Sequence, residues 1–121
     1  MSGVLRGKRI LVVEDEPLVA MMVEDILLGE DAVVIGPAAS LAKALELTEG
    51  EFDAALLDVN LAGERVYPVA RRLQQRGIPF VFATGYGGPD EEWGNMPNIL
   101  EKPYSRDNMI AALEQALGLD G

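Results

Sequence analysis

The sequence contains no cysteine and no histidine. The first absence excludes disulfides, thiolate metal sites and a cysteine nucleophile, and it fits a reducing compartment. The second excludes a Ser-His-Asp triad, an imidazole zinc site and a phosphoryl carrier built on imidazole. Basic residues are also scarce: 10 Lys and Arg stand against 20 Asp and Glu, a net charge of −10. That balance argues against nucleic-acid binding and against attraction to anionic lipid. No apolar run approaches the roughly 20 residues that span a bilayer, and no signal-peptide core opens the chain. A cytoplasmic protein with neither nucleic-acid nor membrane partner is the expectation. Chemistry is left to carboxylates, hydroxyls, lysine and a hard, oxygen-loving cation.

What is present suits one domain over residues 1–121, with 49% apolar residues for a core. The initial Met and short leader favour a stand-alone N-terminus. Short β-like runs alternate with helical segments. Arg9 to Val13 is a nearly all-apolar run, as in a buried parallel strand. Pro17 suits the first turn of a helix that Gly29 ends, and Ala32 to Ile35 reads as a second strand. Ser40 caps a helix through Thr48, and Ala54 to Asp58 is a third strand. A helix around Val66 to Gln75 ends at Gly77, and Ile78 to Ala83 is a fourth strand. Asn98 to Glu101 is a brief fifth strand, and Ser105 caps a last helix through about Leu117. Between Gly85 and Pro97, four glycines and two prolines in thirteen residues leave the expected fourth helix short, displaced or mobile.

This alternation predicts an α/β doubly wound parallel sheet, whose ligands gather at the carboxyl ends of the strands. The chemically capable residues fall there: Glu14 and Asp15 after strand one, Asp58 after three, Thr84 after four, Lys102 after five. Clustered carboxylates repel and raise one another's pKa unless a cation joins them. All-oxygen donors suit Mg²⁺. Lys102 adds a charge for a phosphoryl oxygen and Thr84 a hydroxyl donor, so the set fits phosphoryl transfer through an aspartyl phosphate.

Val12-Val13-Glu14-Asp15-Glu16-Pro17, Asp53-Ala-Ala-Leu-Leu-Asp58-Val-Asn-Leu, Ala83-Thr84-Gly85 and Glu101-Lys102-Pro103-Tyr104 together resemble the response-regulator receiver (CheY-like) family over essentially the full length. The resemblance implies a flavodoxin-like five-stranded sheet ordered 2-1-3-4-5. It implies that Asp58 accepts a phosphoryl group from a sensor histidine kinase or phosphotransfer protein, in a self-catalysed transfer with autodephosphorylation rather than conventional enzyme turnover. Mg²⁺ would be held by Glu14, Asp15, Asp58 and the backbone carbonyl of Asn60. Thr84 would hydrogen-bond the phosphoryl group and Lys102 would pair with it. Pro79-Phe80-Val81-Phe82-Ala83-Thr84-Gly85-Tyr86-Gly87 further resembles the FATGUY receivers, which are often fed by kinases of the HWE or HisKA2 class, and a downstream protein partner is expected.

Two departures from the family pattern stand out, the first bearing on Mg²⁺ affinity and the second on the switch. Glu14 stands where many receivers have Asp, and Ile99 stands where many carry an aromatic that rotates on phosphorylation. Ile99 reads as core packing, so the expected switch passes from Thr84 through Gly85 and Tyr86 into the 85–97 segment, with Trp93 as a probe. Tyr86 is also placed to shield the phosphoryl group from water. Met21 and Met22 read as helix packing, Arg71, Arg72 and Arg76 as a solvated face, and Tyr104 as a packing residue with its hydroxyl near solvent. The competing reading is a degenerate receiver that binds partners without phosphorylation. A dehalogenase-type phosphatase is disfavoured because Asn60 stands where such enzymes need a second carboxylate.

Overall fold

The computed structural model describes residues 3–85, 89, 93 and 99–118. Its elements are β1 (Arg9–Val13), α1 (Pro17–Gly29), β2 (Val33–Ala38), α2 (Leu41–Leu47), β3 (Ala54–Asp58), β4 (Asn60–Leu61), β5 (Glu64–Arg65), α3 (Tyr67–Arg76), β6 (Phe80–Thr84), β7 (Ile99–Glu101) and α4 (Arg106–Leu117). Five strands form one parallel sheet in the order β2-β1-β3-β6-β7. This is the expected doubly wound order once the small β4–β5 hairpin is set aside.

Alternation along the strands divides the core. Leu11, Val13, Ala55, Leu57, Phe80 and Phe82 face the α2 and α3 side. Ile10, Val12, Ala54, Leu56, Val81 and Ala83 face α1 and α4. Both faces are covered, which is why these strands are apolar throughout rather than alternating with polar residues. Ser40 and Ser105 cap α2 and α4 by accepting from Lys43 N and Asn108 N at 3.2 and 3.0 Å, and Gly77 closes α3 at φ 70°.

Several elements depart from expectation. β2 runs on to Ala38 through Gly36 and Pro37, with a register shift between Leu11 and Val13 of β1. A side chain at Gly36 is excluded, because a Cβ there would lie 2.9 Å from Val12 O and φ is +95°. β6 begins at Phe80 rather than Ile78, beyond Pro79. The β4–β5 hairpin turns on Ala62 and Gly63, both with positive φ. An Ala in that region is uncommon, and its N–H is held by Asp15 Oδ2 at 3.1 Å. Of the 85–97 segment, only Gly85, Pro89 and Trp93 are among the described residues, so most of the expected weak fourth unit lies outside them, as does Asn98.

Met21 and Met22 are 58% and 40% exposed and share the outer face of α1 with Leu18, so they are surface residues and not helix packing. Arg76 is exposed, as expected of a solvated face, and is also a clamp. Its guanidinium donates to Thr48 O and Gly50 O at 2.5 and 2.8 Å and lies over Phe52, pinning α3 to the loop before β3.

Candidate functional site

The carboxyl ends of β1, β3, β6 and β7 bring the reactive residues to one rim. Hydrogen bonds from Glu14 N to Ala38 O (2.9 Å), Val59 N to Ala83 O (3.0 Å) and Lys102 N to Thr84 O (2.8 Å) carry the ladder past the strand ends. Asp58 is buried at the tip of β3. Its Oδ1 accepts from Asn60 N at 3.3 Å, and its Oδ2 lies 3.1 Å from Lys102 Nζ. Glu14 is also buried, with Oε2 accepting from Glu16 N at 3.1 Å and Oε1 3.3 Å from the same ammonium. Glu16 Oε1 is 3.7 Å from Lys102 Nζ. Three carboxylates thus share one cation.

The electrostatics follow. Burial pushes the Glu14 carboxyl up to about 7; the Asp58 charge adds to this, while the Glu16 N–H and Lys102 oppose it. Burial works against the charge on Lys102, yet its hydrogen bond to Asp58 and the charges of Asp58 and Glu14 hold its pKa above the ordinary lysine value. The site is short of positive charge.

Oxygens of Glu14, Glu16 and Asp58 lie within 4.8 Å of one another, a spacing that suits a shared hard cation. Asp15 adjoins that group in sequence but is not part of it, and its Oδ2 accepts from Ala62 N. Glu16 was missed as a donor in the sequence because an exposed Glu before Pro17 resembles ordinary first-turn charge. Thr84 is buried at the end of β6. A cleft of about 400 Å³ opens over the acceptor, lined by Asp58, Asn60, Thr84, Gly85 and Lys102 together with Glu16 and Arg65. Arg65 carried no signal in the sequence, because the hairpin that brings it here was not foreseen.

Ile99 is partly buried, pairs with Phe82 in the sheet and packs against the α2–α3 side of the core, as its aliphatic character suggests. Tyr86 lies outside the described residues. Trp93 is buried, stacked on Tyr67 at 5.6 Å and edge-on to Phe82 at 5.5 Å, with Arg71 over its ring. Tyr104, expected to keep its hydroxyl near solvent, is buried with that hydroxyl unpartnered among the described residues, because the turn after Lys102 carries it against α4.

Comparison with known proteins agrees with this geometry. Residues 10–114 match the family model of the response regulator receiver domain. The transcriptional regulatory protein TcrA of Mycobacterium tuberculosis is 31% identical over 117 residues, covering 92% of this chain but 46% of its own length. The chain thus spans about half of that relative. The solution structure of SdrG from Sphingomonas melonis Fr1 is 45% identical with a TM-score of 0.80, covering 97% of this chain and 98% of that one. The receiver domain of the sensor histidine kinase PA1611 from Pseudomonas aeruginosa PAO1 is 25% identical with a TM-score of 0.80, over 93% and 98% of the two chains; its structure has a magnesium ion in the active-site cleft. No helix among the described residues is long and apolar enough to cross a membrane. The chain belongs to the response regulator receiver family of two-component signalling.

Proposed function

We propose that the protein accepts a phosphoryl group on Asp58 from the phosphohistidine of a histidine kinase or phosphotransfer protein and passes the signal to a downstream protein in the cytoplasm. The observation that carries this reading is the state of Asp58. It is buried at a strand end, with Oδ1 tied to the Asn60 N–H and Oδ2 to Lys102, beneath an open cleft. A carboxylate so oriented presents a nucleophile in fixed geometry. The clustered oxygens of Glu14, Glu16 and Asp58 fit Mg²⁺; Asp58, Glu14, Asp15 and the Asn60 carbonyl would hold it, with Glu16 within reach. When bound, Mg²⁺ would offset charge on the phosphoryl oxygens.

Lys102 would then follow the charge from the carboxylates to the phosphoryl group, and Thr84 would donate its hydroxyl to it. With Ile99 committed to packing, the change at Thr84 is read out through Gly85, Tyr86 and the 85–97 segment rather than by a rotating aromatic at position 99. The FATGUY resemblance favours a kinase of the HWE or HisKA2 class.

The test is incubation with acetyl phosphate and Mg²⁺, followed by intact-mass measurement. A phosphoryl increment that is stable in acid, labile in base and absent from Asp58→Asn is the expected result. No increment in the unaltered protein would favour the phosphorylation-independent interaction module instead.

A further inference from the structure

The acidic cleft poses a problem for its own substrate. Phosphoryl donors are anions, yet Lys102, one of two cations lining the cleft among the described residues, is shared by Glu14, Glu16 and Asp58. The other is Arg65, which is exposed and makes no ion pair with another described residue. Its place is set by backbone geometry. In the β4–β5 hairpin Arg65 pairs with Asn60, two residues beyond the acceptor, so both side chains leave the same face of the ribbon. Val66 N donates to Val59 O at 3.0 Å, and Ala62 N to Asp15 Oδ2 at 3.1 Å, tying the hairpin to the site at its base and its tip.

We propose that Arg65 is the receiving residue for the anionic phosphoryl donor, engaging its phosphoryl oxygens at the cleft mouth before transfer; this rests on the phosphoacceptor reading of Asp58. A guanidinium offers a planar, two-pronged donor set matched to phosphate oxygens and stays charged at any working pH. With acetyl phosphate, an Asp58 Oδ–P bond forms as the bond from phosphorus to the acetyl oxygen breaks, and acetate leaves with the electron pair. Arg65 takes no proton and forms no bond in that step. It lowers the electrostatic barrier to entry and holds the donor at the cleft mouth.

The test is the rate of mass gain as a function of acetyl phosphate concentration, in saturating Mg²⁺. Arg65→Gln should raise the half-saturating concentration roughly fivefold, the size of one exposed charge contact, with the rate at saturation close to that of the unaltered protein. Arg65→Lys should fall between the two, and the gap should narrow in high salt. Arg6→Gln, at the opposite end of β1 in an exposed pair with Asp31, removes the same charge from the molecule and should leave half-saturation unchanged. Equal half-saturation in Arg65→Gln and the unaltered protein overturns the proposal, as does an equal rise in Arg6→Gln. If the unaltered protein gains no phosphoryl mass, the phosphoacceptor reading itself fails; if it does and Arg65→Gln matches it, only the role of Arg65 falls.

Discussion

Tyr104 follows Lys102 and Pro103 into the core between β7 and α4, where its ring is packed and its hydroxyl meets no partner among the described residues. Burial, then the negative charge of Glu14, pushes its pKa up to about 12, so the hydroxyl keeps its proton at neutral pH. A buried hydroxyl without a partner costs on the order of 1 kcal/mol or more. Tyr104→Phe should therefore stabilise the metal-free protein by about 1 kcal/mol in urea unfolding; a loss of stability would show that the hydroxyl has a partner. Asp53 presents the opposite case. Its Oδ2 accepts from Arg9 N at 2.7 Å and lies 3.6 Å from the Arg9 guanidinium, fastening the start of β1 to that of β3. The hydrogen bond from Arg9 N, more than any other cause, holds its pKa below the ordinary 3.8. A depressed carboxyl pKa gives stability that is complete above the unfolded value and lost as pH falls through the folded one. Asp53→Ala should cost about 1 kcal/mol at pH 7. That difference should shrink once pH falls below the ordinary carboxyl range, which paired urea titrations at neutral and acid pH would reveal; a difference independent of pH would contradict the assignment.

At the scale of elements, Trp93 sits in a box formed by Tyr67 of α3 and Phe80 and Phe82 of β6. Phe82 is two residues before Thr84 on the same strand, so a pull on Thr84 would be felt by the indole's neighbours. Beryllofluoride with Mg²⁺ should shift Trp93 emission in the unaltered protein and not in Asp58→Asn; identical spectra with and without the ligand would contradict a readout through this segment. Much of the element pattern was legible in the sequence. Apolar β-branched runs marked β1 and β3, Ser40 and Ser105 marked two caps, and Gly77 marked the end of α3. The β4–β5 hairpin was not legible, because Ala62-Gly63 lacks the Asn-Gly or Asp-Gly signal of a two-residue turn and is held from a distance by Asp15. β2 outran its apolar stretch because Gly36 and Pro37 bend an edge strand without ending it. The clamping role of exposed Arg76 was not legible, because its acceptors are backbone carbonyls 26 and 28 residues away, which no local pattern shows.

For the molecule as a whole, alternating elements dictate which strand ends converge, and this made Glu14, Asp58, Thr84 and Lys102 readable as neighbours on one rim, whereas Asp15 turns to the β4–β5 hairpin. The places of Glu16 and Arg65 beside the acceptor needed the folded geometry. A net charge of −10 with an acidic cluster at one rim implies a protein relaxed by cations at that rim. Mg²⁺ at roughly a hundredfold over its Kd should add about 2.7 kcal/mol to unfolding free energy. Chelation should reverse the gain, and Asp58→Asn should lessen it, with ionic strength held constant by NaCl. An equal effect of NaCl alone would mean general screening instead of a site. Asp58, among several clustered carboxylates, is the one proposed to take the phosphoryl group. Borohydride reduction of the protein after treatment with acetyl phosphate and Mg²⁺, followed by peptide sequencing, tests it most directly. Homoserine at position 58 is the predicted result; reduction at Glu14, Asp15 or Glu16, or at no carboxylate, would contradict it.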